Sequence, residues 1–92
     1  RMNADITAPV TISDVRSVVA ATLGIDEHRA GAMHAGTELL GSLPELDSMA
    51  VVELVYALEE RFAIAIDGDE ISADVFETLG SLTAFVGAKL PA

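Results

Sequence analysis

The sequence predicts an all-α fold: a small four-helix bundle of three main helices plus one short helix, with a long loop between the first two. Three observations predict it. Apolar residues recur at helical spacing in three separate stretches. Each stretch opens on a residue that caps helices well: Thr11, Asp47 or Thr78. No segment alternates apolar with polar over a strand's length, apart from the brief Ile64-Ala65-Ile66.

The elements follow in chain order. Residues 1–10 read as a flexible N-terminal arm and residues 11–90 as the folded domain. Arg1 ahead of Met2 reads as a cloning remnant and is set aside. Thr11 caps the first helix, with Asp14 in the first turn near the positive end of the helix dipole. Val15, Val18, Val19, Thr22 and Leu23 form its buried stripe, and Gly24 ends it. Residues 24–46 contain four further breakers, Gly31, Gly36, Gly41 and Pro44, and show no sustained period. Connections this long are usually functional or hide an element, and a short helical turn around residues 27–34 is compatible with the composition. Leu39, Leu40, Leu43 and Leu46 are expected to pin the loop to the core. Asp47 caps the second main helix, which starts at Ser48 and runs to about Phe62 without Gly or Pro. Ile64, Ile66 and Gly68 mark a connection with turn chemistry at Asp67-Gly68. Ile71 to Phe76 suits the short helix. Thr78 caps the last helix, with Leu79, Leu82, Phe85, Val86 and Leu90 as its apolar face.

Composition narrows the function. The 92 residues carry 15 acids against 5 bases, a net charge of −10, yet 51% are apolar. That apolar content excludes a disordered acidic tail. Fifteen of the apolar residues are Ala, so the core-forming set is smaller than it looks. So acidic a surface repels nucleic-acid backbones and anionic membranes. With no Cys there is no disulfide, thiolate metal site or thiol nucleophile. No apolar run approaches the roughly 20 residues of a membrane span, no signal peptide shows, and a cytoplasmic protein is expected. The charge is uneven. Residues 45–77 hold ten acids and only Arg61, whereas residues 1–44 hold five acids and three bases. Screening this repulsion with moderate salt or Mg²⁺ should raise the melting temperature, and a flat or falling value would oppose that.

The helix that begins at Ser48 has two apolar faces. At about 100° per residue, Val51, Leu54, Val55, Leu58 and Phe62 cluster on one side, as core. Met49, Val52 and Tyr56 cluster on the other, with Glu53 and Glu60. A bundle helix needs one buried stripe. Either the long loop covers the second stripe, or it is a docking surface, apolar at the centre and acidic at the rim, for a basic partner. Burying Glu53 and Glu60 under a loop would be costly, which favours docking.

Ser48 stands at the head of this helix, where unpaired N–H groups and the helix dipole favour a phosphate. Taken alone, Asp47-Ser48 is an ordinary helix start. The wider stretch Leu46-Asp47-Ser48-Met49-Ala50-Val51-Val52-Glu53-Leu54-Val55-Tyr56-Ala57-Leu58-Glu59-Glu60-Arg61-Phe62 resembles the second helix of acyl carrier proteins, with an Asp-Ser-Leu-like motif, Val-Glu-Leu, and Leu-Glu-Glu before a Phe. The resemblance continues through Ile64, Ile66, Phe76, Thr78, Leu79 and Leu82.

It implies that a phosphopantetheinyl transferase, using coenzyme A and Mg²⁺, attaches 4′-phosphopantetheine to Ser48, with Asp47 as the adjacent cap. The arm's thiol would hold acyl groups as thioesters, which suits a chain without Cys. Ser48 is then a modification site and the chain is a carrier, not an enzyme. Met49, Val52, Glu53, Tyr56, Glu59 and Glu60 would face acyl-loading and acyl-using enzymes with basic docking patches. Val51, Leu54, Val55 and Leu58 would line the acyl cleft of a monomeric, stand-alone carrier. The chain departs from the family at Ala50, where an acid is common, at Glu45, where Gly is common, and at Tyr56, where an aliphatic residue is commoner. The alternatives are a peptidyl or aminoacyl carrier, a carrier-like module that docks a basic partner without Ser48, and a small hydrolase using Ser48. No Gly-x-Ser-x-Gly surrounds Ser48, His28 and His34 lack suitable partners, and Asp67-Gly68-Asp69-Glu70 fails the calcium-loop spacing at Ser72 and Thr78, so no metal site is expected.

Overall fold

A computed structural model describes residues 10–90. The expected arm therefore lies, but for Val10, outside the described residues. Four α-helices form: α1 (Ile12–Leu23), α2 (Glu27–Ala32), α3 (Ser48–Phe62) and α4 (Leu79–Lys89), with a 3-10 turn at Gly68–Glu70. Among the described residues there is no strand, only an isolated antiparallel bridge between Glu38 and Thr78.

Local chemistry sets the helix ends. The Thr11 hydroxyl accepts the Asp14 N–H at 3.2 Å, and Asp14 accepts the Thr11 N–H at 3.0 Å. That closes a capping box. The Thr11 N–H, and after it the Thr11 hydroxyl, hold the Asp14 carboxyl below its ordinary range. Gly24, at φ 71°, takes the left-handed turn that ends α1. Thr78 and Ser81 close the matching box on α4. Helix α3 ends on Ala63 at φ 55°, a conformation that costs an L-residue about 1–2 kcal/mol.

Helix α1 packs against all three other helices. Val15, Val19, Leu54, Leu58, Leu79, Leu82 and Val86 are fully buried between α1, α3 and α4. No polar or charged side chain is buried among the described residues. The core itself contributes by apolar burial, at roughly 1.5–3 kcal/mol per large side chain.

The long loop closes the bundle from the side. Its backbone is stitched to the head of α4: Leu39 N–H to Glu77 O (2.9 Å), Leu40 N–H to Phe76 O (3.0 Å), Leu79 N–H to Thr37 O (2.9 Å) and Gly80 N–H to Ala35 O (2.8 Å). Two expectations are corrected here. Leu40 does not pin the loop. Leu40 opens a turn that the Ser42 and Leu43 N–H groups close on the Leu39 carbonyl, so Leu39 is buried while Leu40 sits exposed at the corner. Residues 71–76 form turns rather than a helix. The carbonyls of Phe76 and Glu77 are taken by the loop, and the nearest local bond, Phe76 N–H to Ser72 O, is long at 3.4 Å. The short helix of the bundle is α2 instead, where Asp26 caps the Arg29 N–H at 2.8 Å.

Candidate functional site

Ser48 is the first residue of α3 and is exposed. Asp47 beside it accepts the Ala50 N–H on its carboxylate at 2.9 Å and the Val51 N–H on its carbonyl at 3.0 Å. The amides of Ser48 and Met49 have no acceptor within the helix, so they can face an anion carried by Ser48. The Ser48 hydroxyl has no hydrogen-bond partner among the described residues, whereas those of Ser17, Ser42 and Ser81 are all engaged. Among the described residues no base addresses it: His34 Nδ1 accepts the Gly36 N–H at 3.1 Å, and His28 lines a groove beside α2. Ser48 is thus free to be modified and has nothing to activate it as a nucleophile.

The approach to Ser48 is held from both sides. Leu46 is buried, and Glu45 forms a two-point ion pair with Arg29 of α2. The Arg29 guanidinium keeps the Glu45 carboxyl below its ordinary range. Glu45 thereby anchors α2 to the segment leading into α3.

The second apolar stripe is uncovered. Met49 is 71% exposed, Tyr56 66% and Val52 48%, with Glu53 and Glu60 exposed among them. Residues expected to line a cleft divide differently. Leu54 and Leu58 are wholly buried in the core, Val51 is half-buried, and Val55 reaches a groove. That groove, about 300 Å³, runs between α3 and the connector after it, lined by Val52, Val55, Tyr56, Glu59, Ile66, Gly68 and Ile71. Ser48, Val52, Val55 and Glu59 stand at i, i+4, i+7 and i+11, so Ser48 and the groove share one side of α3.

Glu59 has a role that sequence reasoning missed. It is half-buried, and its carboxylate accepts the Ile66 N–H at 2.8 Å. No local motif marks such a bond. The only hint was the Ile64, Ile66 and Ile71 spacing around an acidic turn.

The groove's outer wall is also tied to α4, where Lys89 Nζ reaches both Glu70 oxygens at 2.7 and 2.8 Å. That ammonium holds the Glu70 carboxyl below its ordinary range. A depressed carboxylate stabilises the fold fully above its unfolded pKa, and the contribution is lost as pH falls through the folded one. Lys89→Met should therefore lower the melting temperature at pH 7, with a smaller difference at an acid pH below the ordinary carboxylate range. A gap of equal size at both pH values would contradict the pair's contribution.

Among the described residues no group of three His, Asp or Glu side chains could hold a metal, and no helix is long and apolar enough to cross a membrane. Residues 13–86 match the family model described as a phosphopantetheine attachment site. The chain is 34% identical over 77 residues to an acyl carrier protein of Exiguobacterium, covering 84% of this chain and 90% of that one. It is 35% identical over 79 residues to an acyl carrier protein of Helicobacter hepaticus, covering 86% and 96%. The solution structure of a holo acyl carrier protein from Nitrosomonas europaea superposes with a TM-score of 0.78 at 49% identity, over 85% of this chain and 93% of that one. A chain so matched in fold, in family model and over most of its length belongs to the acyl carrier proteins: it is a carrier, not a catalyst, bearing acyl groups for biosynthetic enzymes on a covalent 4′-phosphopantetheine arm.

Proposed function

We propose that Ser48 is the residue that carries the arm. The observation that supports it is an exposed, unengaged hydroxyl at the head of a 15-residue helix, beside two amides without acceptors. The arm supplies the thiol that this Cys-free chain lacks. Asp47 fixes the helix start, and the Ser48 and Met49 amides stabilise the phosphodiester. On this reading the groove beside Val52 and Val55 shelters the acyl chain, since it lies on the side of α3 that Ser48 faces. Leu54 and Leu58 belong to the core behind α3 rather than to the groove lining.

Met49, Val52 and Tyr56, ringed by Glu53 and Glu60, form the surface offered to the transferase and to acyl-loading and acyl-using enzymes with basic patches. With Ala50 buried where an acid is common in the family, the first turn is apolar and the negative rim lies further along. Three exposed side chains fall well short of what a stable dimer buries, in keeping with a monomer. Coverage of 90% and 96% of two relatives supports a stand-alone carrier, with residues 11–90 as its domain. A cytoplasmic location completes the reading.

The test is direct. Incubated with coenzyme A, Mg²⁺ and a promiscuous phosphopantetheinyl transferase, the protein should gain the mass of one arm, and Ser48→Ala should gain none. An unmodified wild type, or a modified Ser48→Ala, would overturn the assignment. Partner binding that persists unchanged in Ser48→Ala would instead favour a docking module.

A further inference from the structure

We infer that Glu59 is a positioning residue that holds the groove wall formed before cargo arrives. The inference rests on the reading of Ser48 as the arm's attachment point. Three bonds converge on this one residue. Its carbonyl accepts the Ala63 N–H and the Ile64 N–H, the latter at 3.2 Å, and its carboxylate accepts the Ile66 N–H at 2.8 Å. Glu59 thus directs the chain out of α3 through the left-handed turn at Ala63 and brings Ile66 alongside Val55 and Tyr56. Without the carboxylate, the stretch from Ile64 to Asp67 would have no hydrogen bond to α3 beyond that of Ile64 itself. The far end of the connector is already fixed by Lys89 on Glu70. The Glu59 bond is therefore the near-side fastening of a wall fastened at two points.

A wall held in place costs less to bind against than one that must be ordered by the cargo. Glu59 also lies on the Ser48 side of α3, at i+11, where a chain leaving the arm would run. Its contribution is geometric rather than electrostatic. The acceptor oxygen matters, and the negative charge does not. Reach matters too, because the carboxylate must span from the last full turn of α3 to Ile66.

Those requirements separate three variants. Glu59→Gln keeps an acceptor of the same reach and removes the charge. Glu59→Asp keeps the charge and falls one methylene short. Glu59→Ala removes both. Each is first scored by mass for arm loading, which tests the Ser48 reading by itself. Each is then loaded with an octanoyl or an acetyl group, and thioester cleavage by hydroxylamine is timed; hydroxylamine takes the acyl group as hydroxamate and frees the thiol. Glu59→Ala and Glu59→Asp should lose octanoyl about fivefold faster than wild type, the factor of one lost hydrogen bond. Glu59→Gln should match wild type, and acetyl loss, too short to reach the groove, should be unchanged in all. Equal octanoyl rates in wild type and Glu59→Asp, or parallel changes in acetyl and octanoyl, would overturn the inference. So would Glu59→Gln behaving as Glu59→Asp should. Exchange of the Ile66 amide is read on the unmodified protein. Fast exchange in Glu59→Asp and slow exchange in Glu59→Gln are expected there, and any other order overturns the inference even where loading fails. If Glu59→Ala does not fold, the contrast between Gln and Asp decides.

Discussion

Leu54→Ala should destabilise the protein by about 2–5 kcal/mol, enough to unfold a large share of it at 37 °C. Leu54 is fully buried on α3, on the same face as the fully buried Leu58, and meets a core with no buried polar partner to fall back on. Removing it deletes apolar contact and leaves a cavity that the helices can only partly close. The net charge of −10 opposes compaction and leaves little reserve. At roughly 4–8 °C per kcal/mol for a domain of this size, the melting temperature should fall by about 10 °C or more, read by helical circular dichroism. Val52→Ala, two residues away in sequence but on the exposed stripe, should change stability by less than about 0.5 kcal/mol. A Leu54→Ala melting curve superimposed on that of Val52→Ala would refute the two-faced reading of α3.

Gly80→Ala should destabilise by about 1–3 kcal/mol, although alanine ordinarily improves a helix by about 1 kcal/mol over glycine. Two effects compete at this position. A Cβ on Gly80 would sit 2.8 Å from the Ala35 carbonyl oxygen and 3.2 Å from its Cβ. The oxygen belongs to backbone that also accepts the Gly80 N–H, so it cannot swing away without breaking that bond. Steric conflict therefore outweighs propensity, and the loop must lift from α4. Gly87 on the same helix is the control. Its added Cβ would meet only a side-chain methyl group of Val10, at 3.3 Å, which can yield. Gly87→Ala should be neutral or stabilising by up to about 1 kcal/mol. Chemical denaturation of the pair gives the comparison, and equal midpoints would show that Ala35 yields freely.

Much of this molecule was legible before any coordinates, for a definite reason. Thr11, Gly24, Asp47 and Thr78 mark helix ends because capping is local: the donor lies within four residues of the acceptor. The two faces of α3 were equally legible, since a 15-residue helix repeats its geometry four times. What failed depends on partners far away in sequence. The segment at residues 71–76 closes only long local bonds, Phe76 N–H to Ser72 O and Glu77 N–H to Asp74 O at 3.4 Å, while its end pairs with the distant loop, and a window of six residues holds no trace of that pairing. Leu40 looks like its neighbours Leu39 and Leu43 in the sequence, and only the turn closed on the Leu39 carbonyl places it outward. Ala50 stands where the family commonly has an acid, and only the packing shows it to be a buried contact. Ser48 is a candidate by motif alone, whereas the Glu59 bond to Ile66 needs the path of the chain after α3.

The four backbone stitches between the loop and α4 also bear on how the protein assembles. Each joins residues about 40 positions apart, so none can form until α1, α3 and α4 have met. Helices form in microseconds, but the stitched segment must wait for the slower docking of distant parts. It should be the last unit to close during folding and the first to open in the folded state, a separate unit of lower stability in hydrogen exchange. Such an opening loosens the segment just before Ser48 while α3 itself stays intact. Ser48, the proposed attachment point, would then sit at the boundary between a slowly exchanging helix and a faster-exchanging segment.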